Sequence, residues 1–105
     1  MGSGFRVVLV SVPQSKLAEK IARGLVKNKL AACVTEIPQT TSHYYWEGKL
    51  EKTQEVVLLI KTKAGLLPKL MRFIKEKHGA KVPEIISLPI MEGDQAYLEW
   101  LGAGV

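Results

Sequence analysis

The sequence has few of the residues that usually carry chemistry. Of its 105 residues one is a cysteine, Cys33, and two are histidines, His43 and His78. A single thiol excludes an intrachain disulfide, the usual support of small secreted domains. The expected location is therefore the cytosol or a similarly reducing space. No apolar run approaches the roughly 20 residues that a membrane-spanning helix needs, so no membrane insertion is expected. There is no G-x-x-x-x-G-K followed by Ser or Thr, no H-E-x-x-H, and no Cys/His spacing of a zinc site. Met1-Gly2-Ser3-Gly4 lacks the charged and apolar regions of a secretory signal. Residues 1–4 are expected to be a disordered start or a tag remnant, and residues 5–105 a single domain. With no catalytic constellation in view, the chain is not expected to be an enzyme, and no organic cofactor is expected.

What is present is an ordinary globular composition, 47% apolar, with a formal net charge of +5. The lysines are spread along the chain without a basic block. They are expected to be solvated faces that keep the protein soluble.

The hydrophobic pattern spells a definite order of elements. Phe5 to Val12 is β-branched and almost wholly apolar, a central strand closed by Pro13. A helix is expected from Ser15, as N-cap, to Lys27: Leu17, Ile21 and Leu25 recur every four residues. Asn28 is expected to close it in the left-handed conformation. A second strand, Leu30 to Ile37, meets Pro38, which marks a bend, bulge or edge position. Thr40 to Trp46 resumes strand chemistry, Glu47-Gly48-Lys49 turns, and Leu50 to Thr62 returns. In this hairpin His43 and Tyr45 should share one face, Tyr44 and Trp46 the other. Leu66 to Lys77 is a second helix that tolerates Pro68 in its first turn and stops at Gly79. Pro83 to Ile90 is a fourth strand, at an edge because of Pro89. Asp94 caps a short last helix.

This βαββαβ order predicts an α+β, ferredoxin-like antiparallel sheet with both long helices on one face and a short C-terminal helix. The other face is left apolar, and uncovered apolar surface usually means association, so an oligomer with its sheets packed inward is expected. The same order occurs in RNA recognition motifs, but strand three has no aromatic on which bases could stack. No nucleic acid partner is expected. Acylphosphatase-like hydrolysis is also excluded, because Val12-Pro13-Gln14-Ser15 offers neither an anion cradle nor an arginine.

The residues also carry a resemblance. Leu30-Ala31-Ala32-Cys33-Val34, Ile37-Pro38, Thr41-Ser42, Tyr44 and Trp46-Glu47-Gly48-Lys49 resemble the CutA family of divalent-cation tolerance proteins. So do Ile60-Lys61-Thr62, Val82-Pro83-Glu84-Ile85, Leu88-Pro89 and Tyr97-Leu98-x-Trp100-Leu101. The resemblance implies a homotrimer built like the PII signalling proteins. It implies binding of copper or another divalent cation and a part in metal tolerance, without a family-wide reaction. The segment His78-Gly79-Ala80-Lys81 departs from the family's usual His-Pro-Tyr-Glu.

Candidate site residues follow. His78 is either a metal ligand through its imidazole or a partly exposed side chain at the negative end of the second helix. His43 is a candidate surface metal contact or a cross-strand packing residue. Cys33 is read as a buried structural thiol that could capture a soft metal. Tyr44, Tyr45, Trp46 and Trp100 are candidate trimer-interface anchors. The resemblance implies that the region of Lys61 and Glu84 lines a cleft between subunits; the alternative is a surface ion pair. The alternative function is a PII-like signalling or scaffolding trimer that takes a small anionic ligand or a protein partner.

Overall fold

A computed structural model describes residues 4–105; the expectation for residues 1–3 lies outside it. The elements are β1 (Phe5–Val12), α1 (Ser15–Lys27), β2 (Cys33–Trp46), β3 (Lys49–Lys63), α2 (Leu67–His78), β4 (Ile85–Pro89) and α3 (Gln95–Ala103), with one 3-10 turn (Ala64–Leu66) before α2. Gly4, expected within the disordered start, accepts a hydrogen bond from the Ala64 amide at 2.8 Å. The sheet is antiparallel in the order β2-β3-β1-β4, the ferredoxin-like arrangement. Pro38 and Pro89 both sit on edge strands, where the missing amide costs no ladder bond.

Burial alternates along β3, from Glu55 to Lys63, between fully covered and half-covered positions. That is the mark of a sheet with one packed face. Val8, Val10 and Val12 of β1 join Leu58 and Ile60 of β3 under Ile21, Leu25, Leu70 and Ile74 of the helices, all fully buried. Each such side chain stabilises the fold by roughly 1.5–3 kcal/mol. The opposite face carries Val7, Leu9, Val57 and Leu59, with Ile86 and Leu88 of β4 about half exposed at 47% and 49%.

Several local expectations change. Gln14, not Ser15, is the N-cap of α1, and it makes no side-chain cap bond. Asn28 stays on the right-handed side at φ −88°. Its amide instead donates to the Gly24 carbonyl at 2.8 Å, and Lys29 takes the left-handed conformation at φ 57°. The two expected segments on either side of Pro38 are one strand with a bulge between Ile37 and Thr40, where Gln39 adopts φ 59°. At the hairpin tip Glu47 and Gly48 have φ of 51° and 81°, the signature of a tight type I′ turn. Gly79 ends α2 at φ 83°, and Asp94 caps α3 by accepting from the Tyr97 amide at 3.1 Å.

Candidate functional site: a cleft at the root of the hairpin

The bulge decides what the hairpin presents. Before it, Cys33, Thr35 and Ile37 pair with Lys61, Leu59 and Val57; after it, Ser42, Tyr44 and Trp46 pair with Thr53, Glu51 and Lys49. Paired residues share a face, so one extra residue moves the even-numbered side chains of β2 onto the open side of the sheet. There they meet the odd-numbered side chains of β3, Glu51 and Glu55. Tyr44 and Trp46 thus share a face opposite His43 and Tyr45, as the alternation requires.

A cleft of about 580 Å³ lies along this face, walled by Tyr44 and Trp46 on one side and by the segment from His78 to Glu84 on the other. Glu51, Glu55 and Glu84 reach it, with Lys81 as the one basic side chain. Ser42 donates to the Glu55 carboxylate at 3.0 Å, and Thr40 donates to the Glu55 backbone carbonyl at 2.7 Å, which holds the carboxylate against the strand. Ser11, at the end of β1 and 8% exposed, donates to Glu84 at 3.4 Å.

His78 fixes the far wall. It is buried, 6% exposed, rather than partly exposed as its place at a helix end suggests. Its Nε2 lies 2.6 Å from the Ser11 carbonyl, and its Nδ1 accepts from the Ala80 amide at 3.3 Å. A carbonyl can only accept and an amide can only donate, so the ring carries its hydrogen on Nε2. Both nitrogens are thereby engaged; a metal at His78 would have to displace the Ala80 amide. Because His78 addresses the carbonyl of Ser11 and not its hydroxyl, it supplies no base to that oxygen, as a nucleophilic serine would need.

The other candidates lie apart. Lys61 is turned to β2, donating to Thr35 Oγ1 at 2.6 Å and to the Leu59 carbonyl at 3.2 Å. Its row of the sheet holds Val7, Leu88 and Cys33, whereas Glu84 lies beside Ser11, four residues and about 13 Å along β1. The Lys61–Glu84 ion pair, one of the two readings of these residues, is not formed within the chain. Cys33 is half-buried instead of buried. It lies near enough to Tyr97 that burial, with Cys33 as the second cause, raises the Tyr97 phenol above its ordinary value of 10.0. Tyr97 and Trp100 stack at 5.7 Å between ring centroids. Tyr45 and Trp100 are 73% and 53% exposed.

Tested as a metal centre, one chain does not suffice. Among the described residues no three His, Cys, Asp or Glu side chains come together as a ligand set. Glu51, Glu55 and Ser11 are absent from the sequence-based candidates. The odd numbering of Glu51 and Glu55, in step with Val57 and Leu59, is the signal that places them on the open face. Their grouping with Ser42 depends on the bulge, and Ser11 was masked as the tail of an apolar strand.

A ferredoxin-like sandwich with a hairpin that outruns its own core belongs to the PII-like class of protein. The chain is a member of the CutA1 family, described as "CutA1 divalent ion tolerance protein", whose profile matches residues 6–103. It is 47% identical over 95 residues to the divalent-cation tolerance protein CutA of Thermus thermophilus, covering 90% of this chain and 92% of that protein. It is 43% identical to protein CutA of Mus musculus over 95% of this chain, but spans 59% of that protein's length. Among solved structures, CutA1 from Oryza sativa superposes with a TM-score of 0.94 at 41% identity, covering 98% of this chain and 94% of that one. The Thermus thermophilus structure gives 0.90 at 46% identity, with 92% and 94% covered.

Proposed function

We propose that the chain works as a non-enzymatic homotrimer that binds divalent cations, copper among them, and so contributes to metal tolerance, in the cytosol. The names of its relatives point to divalent-cation tolerance. The observation that carries the reading is the open face itself. A cleft rich in carboxylates adjoins an apolar sheet surface that α1 and α2 leave uncovered. Pressing such faces together around a threefold axis buries the apolar rows, with Tyr44, Trp46 and Trp100 as anchors, while Tyr45 meets a neighbour from the other side of the hairpin. It also brings carboxylates of neighbouring subunits within reach of one ion, supplying ligands that one chain lacks. Oxygen ligands suit hard and borderline divalent ions. Three carboxylates against Lys81 make the same cleft a poor seat for a small anion, which weighs against a PII-like anionic ligand.

The test is isothermal titration of the purified oligomer, its mass first fixed by sedimentation, with Cu(II), Zn(II) and a nucleotide. Saturable cation binding that is lost in Glu51→Gln and Glu84→Gln supports the reading. A monomer at micromolar concentration, or no cation binding tighter than millimolar, would overturn it.

A further inference from the structure

The fold segregates charge that the sequence scatters. Residues 15–29 and 64–78, which build the helical layer, hold nine of the fifteen basic residues but only two acidic ones, Glu19 and Glu76. The rest of the chain shares the other six, Lys81 of the cleft among them, with eight acidic residues. On α1, Lys16, Lys20, Arg23 and Lys27 recur every three or four positions and are all exposed. They form a stripe along the side away from the core, with about 6 Å of rise for every four residues. On α2, Lys69, Arg72 and Lys75 form a second exposed stripe. The helices touch where Gly24 meets Phe73: a Cβ on Gly24 would stand 2.6 Å from the ring. The helix axes are therefore about 8–10 Å apart.

Little neutralises these cations. Within this layer the one ion pair is Arg23–Glu19 at 3.8 Å, on exposed side chains. Lys77 lies over the Phe73 ring at 4.6 Å. Alongside the contact, Asn28, Leu30 and Phe73 join Lys69, Arg72 and Glu76 around a shallow groove of about 270 Å³. Solubility alone does not require such a layer, since clustered like charges repel one another.

We propose that this outer helical layer is a docking surface for an extended, acidic protein segment carrying an apolar side chain. An extended chain with acidic residues at alternate positions sets a carboxylate every 6.6–6.8 Å or so on one side, somewhat longer than the roughly 4.5–6 Å steps of the α1 stripe, a difference that flexible lysine stems can take up. The groove against Leu30 and Phe73 receives the apolar group. The exposed aromatic side chains Tyr44, Tyr45, Trp46, Tyr97 and Trp100 all lie off this layer, which disfavours single-stranded nucleic acid stacked on aromatics. Of the large apolar side chains exposed on the molecule, only Val26 lies on α1 or α2, so the layer has almost nothing to insert into a lipid surface. Docking here is independent of the cleft and of any metal, because the two surfaces lie on opposite faces of the sheet.

The test is fluorescence anisotropy of the full chain with a labelled peptide that alternates Glu and Ser around one central Leu. A duplex DNA of matched charge and vesicles rich in anionic lipid form parallel arms. Saturable peptide binding is expected to weaken about tenfold or more in the Lys20→Glu, Lys69→Glu double variant. It should also weaken when the central Leu of the peptide becomes Ser, and it should hold in Lys52→Glu, Lys63→Glu, which changes net charge equally elsewhere. Both double variants are checked by circular dichroism and sedimentation against the parent. No peptide binding at low salt, equal loss in both double variants, or tighter binding to the duplex or the vesicles would each overturn the proposal.

Discussion

At the scale of single residues, the side chains that matter most are defined by their partners. His78 reads as a metal ligand or a solvent-facing histidine when only its neighbours in sequence are considered. In the fold it ties the end of α2 to the end of β1 and to the start of the segment that forms the cleft wall. His78→Ala is expected to cost about 1–3 kcal/mol, the penalty of stranding the buried Ser11 carbonyl, and urea unfolding would measure it. Hydrogen exchange should rise at Ala80 in the same variant while β3 stays protected. Tyr97 makes a second prediction. Burial, and then Cys33 beside it, raises its phenol in the folded chain, so the unfolded chain ionises first as pH climbs past 10.0. Its contribution to stability is complete below that pH and falls away as pH rises through the folded value. Cys33→Ala should move the Tyr97 titration, followed by phenolate absorbance against Tyr97→Phe, part of the way back down. Burial, the larger cause, should keep the remainder.

At the scale of elements, the ends of helices and strands were legible where a residue has one dominant local use. Asp94 before Tyr97, Gly79 after α2 and Gly48 in the hairpin turn all do what their chemistry favours. Asp94→Ala is expected to cost about 1 kcal/mol through loss of the cap bond, with a lowered melting temperature and an unchanged sheet by circular dichroism. Ser15 and Asn28 failed for a common reason. Both lie at helix ends, where propensity places a boundary only to within a residue: Gln14 is the N-cap and Lys29 takes the left-handed conformation, one position away in each case. The bulge at Pro38 and Gln39 was foreseen as one of three options, but its consequence was not. A single inserted residue reverses which side chains of β2 face the cleft, and no local pattern records the register of the partner strand.

At the scale of the whole molecule, the sheet has one packed face and one open one, and the charges divide the same way. Leu88, half exposed on β4 beside Val7, is a direct probe of the open face. If that face is buried between subunits, Leu88→Lys should shift the sedimentation mass from oligomer to monomer while leaving the circular dichroism spectrum intact, since the side chain supports no contact in the chain's own core. A variant that keeps the parent's mass would show that the open face is not the interface.

Local chemistry is enough to establish the βαββαβ order, the edge position of β4, the core stripes of α1 and α2 and the family to which the chain belongs. These follow from periodicity, proline and short motifs, which act over a few residues and leave a local trace. Tertiary packing is what buries His78 with both nitrogens engaged, sets Lys61 and Glu84 on different rows of the sheet, and brings Ser11, Ser42, Glu51 and Glu55 into one cleft. It alone gathered the scattered lysines into a single basic layer. Each of these depends on register and on which faces meet, and those are settled by the packing of residues far apart in the chain.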